Sequence, residues 1–98
     1  MMEFMRLTIE QLNNEDWVFH YKFNDKLKKE YVYHRIGFTS SAIKNAVLPE
    51  DYLMFRIRTW LVKYCMEDET QRLYITMDQV EKAKQQTKEA VEFVKARI

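Results

Sequence analysis

The longest apolar run of the chain, Tyr52–Cys65, constrains the fold more than any other segment. Its fourteen residues contain neither Gly nor Pro. A compact fold must bury much of a run like this, because exposed apolar surface is unfavourable in water. The architecture of the whole chain therefore depends on whether this run is a strand or a helix.

Two periodicities compete within the run. As a strand, it would place alternate residues from Leu53 on one face, whereas a helix would bring Leu53, Ile57 and Leu61 together. Its many β-branched and aromatic residues favour a strand. The preceding Leu48–Asp51 favours a helix, since Pro suits the first helical position and carboxylates suit the first turn. We expect a strand and keep a helix over residues 50–67 as the alternative.

Composition limits the class of protein. The 98 residues fit one domain, predicted to span 1–98, and the single Gly and single Pro argue against a turn-rich β-sandwich. The chain has no apolar run near about 18 residues and no leader pattern, so we expect a cytoplasmic protein without membrane contact. The lone Cys65 agrees with a reducing compartment. A net charge of +1 selects no partner class by itself.

A β-hairpin is predicted in the N-terminal half. Asp16–Phe23 and Glu30–Phe38 are rich in aromatic and β-branched residues, and the polar segment 24–29 separates them. Centring the loop on Leu27 places His20 opposite His34 and Tyr21 opposite Tyr33. One face would then carry aromatic side chains, listed as Trp17, Phe19, Tyr21, Phe23, Tyr31 and Tyr33. The other would carry Val18, His20, Lys22, Val32, His34 and Ile36.

Capping signals predict the helices. Thr8–Leu12 has the pattern of a capping box after a short strand at Glu3–Leu7, and the same pattern opens a long amphipathic helix at Met77–Ile98. Thr39–Leu48 resembles a short capped helix. Arg72–Ile75 is predicted as a short strand.

Together these elements predict an α+β fold. We expect a mainly antiparallel sheet of three to five strands, formed by the N-terminal hairpin with Tyr52–Cys65 and Arg72–Ile75. The long C-terminal helix would pack across the sheet, with the two short helices at its ends. The alternative keeps the hairpin and makes residues 50–67 helical.

Residue types able to support catalysis are few. His20 and His34 side by side would be a candidate metal or proton-exchange pair, and Cys65 with a histidine a candidate nucleophile and base. The spacing of residues along the sequence indicates no further metal ligand, and no orienting residue or oxyanion hole for catalysis. We therefore expect no enzyme, metal or cofactor, and interpret Cys65 as a buried free cysteine.

Charge and aromatic residues predict binding surfaces. Between His20 and Arg35, five basic residues stand against two acidic ones. Aromatic and basic side chains on one sheet face can stack and neutralise an unpaired nucleic-acid strand, although a hydrophobic core explains the aromatic face more simply. The candidate partner-binding or nucleic-acid-binding residues are Lys22, Lys26, Lys28, Lys29, Tyr31, Tyr33, Arg35, Arg56 and Arg58. The candidate acidic contact is Glu67, Asp68 and Glu69, whose carboxylates can occupy a basic groove on a partner.

The leading functional hypothesis is a small non-enzymatic protein-binding module. We expect an accessory or inhibitor protein, of the kind that mobile elements encode, acting on a larger complex that handles nucleic acid. The surplus of aromatic residues, 14% of the chain, suits an interface. The alternative is direct binding of RNA or single-stranded DNA through the hairpin. A homodimer through the C-terminal helix, where Phe93 lies off the apolar stripe, is a further option for partners.

Overall fold

A computed structural model describes residues 2–13, 15–66 and 75–98. Three strands are followed by three helices in chain order. The strands are β1 (Met2–Gln11), β2 (Asp16–Asp25) and β3 (Glu30–Thr39); the helices are α1 (Ser40–Asn45), α2 (Pro49–Met66) and α3 (Met77–Lys95). The strands form one antiparallel sheet in the order β1-β2-β3. The predicted α+β class, with a long C-terminal helix packed against an antiparallel sheet, is confirmed.

The prediction that Tyr52–Cys65 is a strand is wrong, and the helical alternative over residues 50–67 is correct in type. Pro49 is the first residue of α2, and Glu50 and Asp51 lie in its first turn. Carboxylates there are stabilised by the positive end of the helix dipole. The predicted strand Arg72–Ile75 lies largely outside the described residues; its last residue, Ile75, is in neither a helix nor a strand.

The predicted N-terminal helix at Thr8–Leu12 is also wrong. Thr8 lies within β1, which runs from Met2 to Gln11 and pairs along β2, with Thr8 opposite His20. The capping signals predicted at Thr39 and at Thr76 are confirmed. The Thr39 hydroxyl accepts a hydrogen bond from the Ala42 amide at 3.1 Å. At α3, the Thr76 hydroxyl accepts from the Gln79 amide at 3.3 Å.

The observed hairpin register differs by one residue from the prediction. Tyr21 lies opposite His34, and Lys22 lies opposite Tyr33. The four-residue loop explains the shift: the Asp25 carboxylate accepts hydrogen bonds from the amides of Leu27 and Lys28, both at 3.1 Å. Such side-chain to backbone bonds shape a turn locally. As a result, the six aromatic residues predicted to share one face of the hairpin divide between its two faces.

One face of the sheet, here called the inner face, packs against all three helices. The Trp17 indole donates to the Ser40 hydroxyl of α1 at 2.9 Å. Phe23 contacts Trp60 of α2, with ring centroids 5.8 Å apart. The core formed there contains four residues of β2 and the apolar stripe of α3 among its buried members, which include Trp17, Phe19, Tyr21, Phe23, Val80, Ala83, Ala90, Val91 and Val94.

A hydrogen-bonded pair ties the sheet to α3 inside this core. The Tyr21 hydroxyl lies 2.7 Å from the Thr87 hydroxyl, which donates to the Ala83 carbonyl at 2.7 Å. Because Thr87 uses its only proton on Ala83, Tyr21 is the donor to Thr87. Burial raises the pKa of Tyr21 to about 12.

Helix α3 also covers the free edge of β1. The side-chain carbonyls of Gln79 and Gln86 accept hydrogen bonds from the amides of Phe4 and Leu7, at 2.9 and 3.1 Å. These bonds satisfy edge groups that would otherwise be available to another chain. Within the described ranges, no helix combines the length and apolar character needed to cross a membrane.

Candidate interaction surfaces

The sheet face turned away from the helices, here called the outer sheet face, collects four of the predicted binding residues. Lys22 of β2 lies opposite Tyr33 of β3, and Arg35 of β3 lies opposite His20. Tyr31, two residues before Tyr33, shares their face because side chains alternate along a strand. The residues of this surface include Arg6, Thr8, Glu10, His20, Lys22, Tyr31, Tyr33 and Arg35.

Tyr31 and Tyr33 are exposed, contrary to the interpretation that placed them with the core aromatics. The two residues are 53% and 61% accessible. The Lys22 ammonium lies 4.1 Å from the Tyr31 ring centroid and 5.8 Å from that of Tyr33. A cation over an aromatic ring is attracted by its electron-rich face. The two rings are therefore a surface feature with a positive charge held between them.

A shallow groove of about 400 Å³ crosses the same face between β1 and β3. Arg6, which sequence reasoning missed, lines it and lies opposite Lys22 in the register. A shift in the strand register between Phe4 and Arg6 sets this position, and the sequence pattern alone does not predict it. The carboxylate of Glu10 in the groove is paired with His20 at 3.1 Å.

The predicted histidine pair does not form. His20 lies on the outer sheet face, whereas His34 lies on the inner face and stacks on Trp60 with ring centroids 4.6 Å apart. No cluster of three metal-ligating side chains occurs among the described residues. The Cys65 side chain, predicted to be a buried free thiol, lies outside the described part of the structure.

Burial, together with the nearby Arg56 guanidinium, lowers the pKa of His34 below its ordinary value of 6.5. Its neutral form is thus favoured in the folded protein. As pH falls below 6.5, the unfolded chain takes up a proton at this residue while folded His34 resists it. We expect the free energy of unfolding to decrease in that range.

Urea unfolding at about pH 7.5 and about pH 5.5 tests this expectation, compared with a His34→Phe variant that keeps a ring against Trp60. The acid-side loss should be smaller in His34→Phe. Arg56→Gln should reduce the loss only partly, because burial is the larger cause. An unchanged acid-side loss in His34→Phe would contradict the assignment.

The remaining predicted basic residues do not join the outer sheet face. Lys26 lies in the β2–β3 loop and pairs with Glu3 at 2.9 Å. The Lys28 ammonium lies 5.1 Å from the ring centroid of Tyr64, on α2. Lys29 closes the loop with a backbone φ of 56°. The loop thus places its cations at one end of the sheet.

The buried end of that loop is held by Asp25. The Tyr64 hydroxyl donates to the Asp25 carboxylate at 2.8 Å. Burial, and then this hydrogen bond to Asp25, raise the pKa of Tyr64 to about 12. The hairpin loop is therefore anchored to α2.

Helix α2 carries a second surface that sequence reasoning missed. Tyr52, Phe55 and Val62 are 51%, 67% and 58% exposed, although Leu53 and Ile57 on the inner side are fully buried. The three exposed residues, at i, i+3 and i+10, share one side of the helix and are here called the α2 apolar stripe. The predicted Arg56 and Arg58 lie on this helix, on the opposite side of the sheet from Tyr31 and Tyr33.

The third predicted contact, Glu67, Asp68 and Glu69, lies outside the described residues. Comparison with known proteins adds no assignment: no protein-family model matches this chain, and neither a curated protein nor a solved structure shows significant similarity to it.

Proposed function

We propose that the protein is a small non-enzymatic protein-binding module, which receives an amphipathic helix of a partner on the α2 apolar stripe. The observation that carries the proposal is the exposure of Phe55, a residue 67% accessible within the stripe. An accessory or inhibitor role in a larger complex requires only such binding. The proposal therefore assigns no catalytic residue.

The α2 helix is apolar on two sides, which is unusual for a helix at a protein surface. Leu53, Ile57 and Leu61 are buried on the side facing the core. A surface helix normally turns charged or polar residues outward. Burying an exposed ring such as that of Phe55 would contribute about 1.5–3 kcal/mol. A partner that covers the stripe would gain this contribution.

The surface beside Phe55 is shaped for inserted side chains. A groove of about 280 Å³ separates α2 from α3 and is lined in part by Met54, Met77 and Val80. A second groove, of about 240 Å³, lies on the other side of Phe55 and is lined in part by His34 and Trp60. Ridges of one helix fit the grooves beside another, so Phe55 between two grooves suits a helical partner.

The charges around the two grooves favour an acidic partner. Their lining contains four basic residues, Arg56, Arg58, Lys63 and Lys84, against two acidic ones, Asp51 and Glu81. Asp51 is already paired with Lys84 at 3.5 Å. Complementary charges at the rim of an interface increase association rate and specificity. The partner helix is expected to carry apolar side chains flanked by Asp or Glu.

Affinity capture with matched phenylalanine variants tests this function. Tagged wild-type protein, Phe55→Ala and Phe93→Ala would be used on nuclease-treated lysate of the source cell, and the recovered partner then titrated against each purified protein. Phe93 is also exposed, at 43%, but lies on α3. We expect Phe55→Ala to bind at least about tenfold more weakly, as for a central interface aromatic, and Phe93→Ala to bind like wild type.

Two results would refute the proposal. One is a partner whose affinity is the same for wild type and Phe55→Ala. The other is a concentration-dependent dimer in sedimentation equilibrium that Phe55→Ala dissociates, because the stripe would then belong to a second copy of the chain.

A further inference from the structure

We propose that the outer sheet face binds single-stranded nucleic acid, by stacking unpaired bases on Tyr31 and Tyr33. This site is separate from the α2 apolar stripe and does not depend on it. The sequence pattern predicts both tyrosines on the aromatic core side of the hairpin. The observed register instead places them on the outer sheet face, beside Lys22.

The two rings are spaced and exposed as a stacking platform requires. Tyr31 and Tyr33 are two residues apart on β3, so their attachment points lie about 7 Å apart along the strand. At 53% and 61% exposure, both rings are accessible. Every base has an aromatic face, so such a pair can hold two successive unpaired bases of any sequence.

Positive charges lie where the nucleic-acid backbone would pass. Lys22 lies between the rings, and the register adds Arg6 on β1 opposite Lys22. Arg35 follows Tyr33 by two residues on the same face of β3. Within the described residues, none of these three cations forms an ion pair. All three are therefore available to phosphates.

The acidic residues on the same face are already engaged. Glu10 pairs with His20 at 3.1 Å, and Glu3 pairs with Lys26 at 2.9 Å. The Lys26 ammonium offsets the negative charge of Glu3, which would otherwise repel a phosphate backbone, and the hydrogen bond to His20 occupies the Glu10 carboxylate. What is left on the face is a basic strip from Arg6 through Lys22 to the tyrosines, with the groove beside it.

This combination selects single strands over duplexes. The faces of paired bases are stacked within a duplex, so a duplex could contact only the cations through its phosphates. An unpaired strand, RNA or DNA, can use both the rings and the cations. The proposed ligand is therefore defined by unpaired bases on a phosphodiester backbone.

Fluorescence anisotropy with labelled oligothymidylate, oligouridylate and a mixed-sequence DNA duplex tests the site. Tyr31→Ala and Tyr33→Ala should each weaken single-strand binding by about tenfold, the usual effect of removing one stacking ring. The matched control is Tyr52→Ala, because Tyr52 is 51% exposed on α2 and lies on the other side of the sheet. It should leave the affinity within about twofold of wild type. Whichever of the two single strands binds more tightly identifies RNA or DNA as the ligand.

Three further variants separate stacking from charge, from misfolding and from the proposed protein-binding site. Tyr33→Phe retains the ring and should keep wild-type affinity within about twofold. Lys22→Gln should reduce the slope of log affinity against log salt by about 0.7, the value for one phosphate contact on a single strand. Phe55→Ala, which changes the proposed protein-binding site, should bind oligonucleotide like wild type.

Several outcomes would overturn the proposal. These are absence of binding to both single strands at protein concentrations up to about 100 µM, duplex binding as tight as single-strand binding, or equal losses in Tyr52→Ala and Tyr33→Ala. A loss in Tyr33→Phe as large as that in Tyr33→Ala would also exclude a stacking role for the ring.

Discussion

Phe23→Ala is expected to lower the free energy of unfolding by about 3–5 kcal/mol, the usual range for removing a buried phenylalanine ring. Phe23 is fully buried in β2. Its ring meets the edge of Phe4, at a centroid distance of 5.6 Å, and Trp60 of α2 at 5.8 Å. Truncation would therefore leave a cavity where two strands and a helix meet, with little freedom to collapse.

Thermal and urea unfolding followed by circular dichroism would measure this loss. For a domain of this size, about 3 kcal/mol corresponds to a fall in Tm of roughly 12 °C or more. Phe55→Ala is the matched control, since the same atoms are removed from a residue that is 67% exposed. It should change stability by no more than about 0.5 kcal/mol. Similar losses in the two variants would mean that the assignment of the core is wrong.

The hairpin shows how much of this fold the sequence can reveal. Alternating residues were enough to predict the two strands that correspond to β2 and β3. They were not enough to set the register, which depends on the loop: Asp25 binds two loop amides and Lys29 adopts a positive φ. A one-residue change moves every side chain of one strand to the other face. In the observed register Tyr31 and Tyr33 are surface residues, and the candidate binding face is the outer sheet face.

Thr8 and Thr76 show why a capping signal is insufficient alone. Both precede the same pattern of residue classes, yet only Thr76 begins a helix. After Thr76 the apolar residues recur at helical spacing through Val94, which gives α3 a continuous buried stripe. After Thr8 no such run follows, whereas Leu7 and Ile9 alternate with exposed neighbours and pair with β2. The apolar pattern over the following residues, and not the capping signal, therefore distinguishes the helix after Thr76 from the strand that contains Thr8.

For α2, the cause of the wrong strand prediction is also the basis of the proposed function. An amphipathic helix shows one apolar side, but α2 buries Leu53 and Ile57 on one side and exposes Phe55 and Val62 on another. Two apolar sides blur the 3.6-residue period, and aromatic and β-branched residues then favour a strand prediction. The excess apolar side, unexplained by the fold of one chain, is what a partner would cover.

Thr59→Pro tests the helix itself and is expected to destabilise the protein by about 3 kcal/mol or more. Thr59 is exposed in the middle of α2, and its hydroxyl donates to the Phe55 carbonyl at 2.9 Å. Proline at this position removes an amide donor and places its ring against that same carbonyl. The effect should be large although little buried volume changes, and it should extend to Trp60 and Leu61, which follow directly in the packed helix.

Thr59→Ala is the control that distinguishes helix from strand by its sign. Alanine is the stronger helix former, by up to about 0.7 kcal/mol, so this variant should be as stable as wild type or slightly more stable. In a strand, the same change would remove a favoured β-branched residue and lower stability. A stable Thr59→Pro together with a destabilised Thr59→Ala, measured by urea unfolding, would therefore contradict α2 and with it the exposed stripe on which the protein-binding proposal depends.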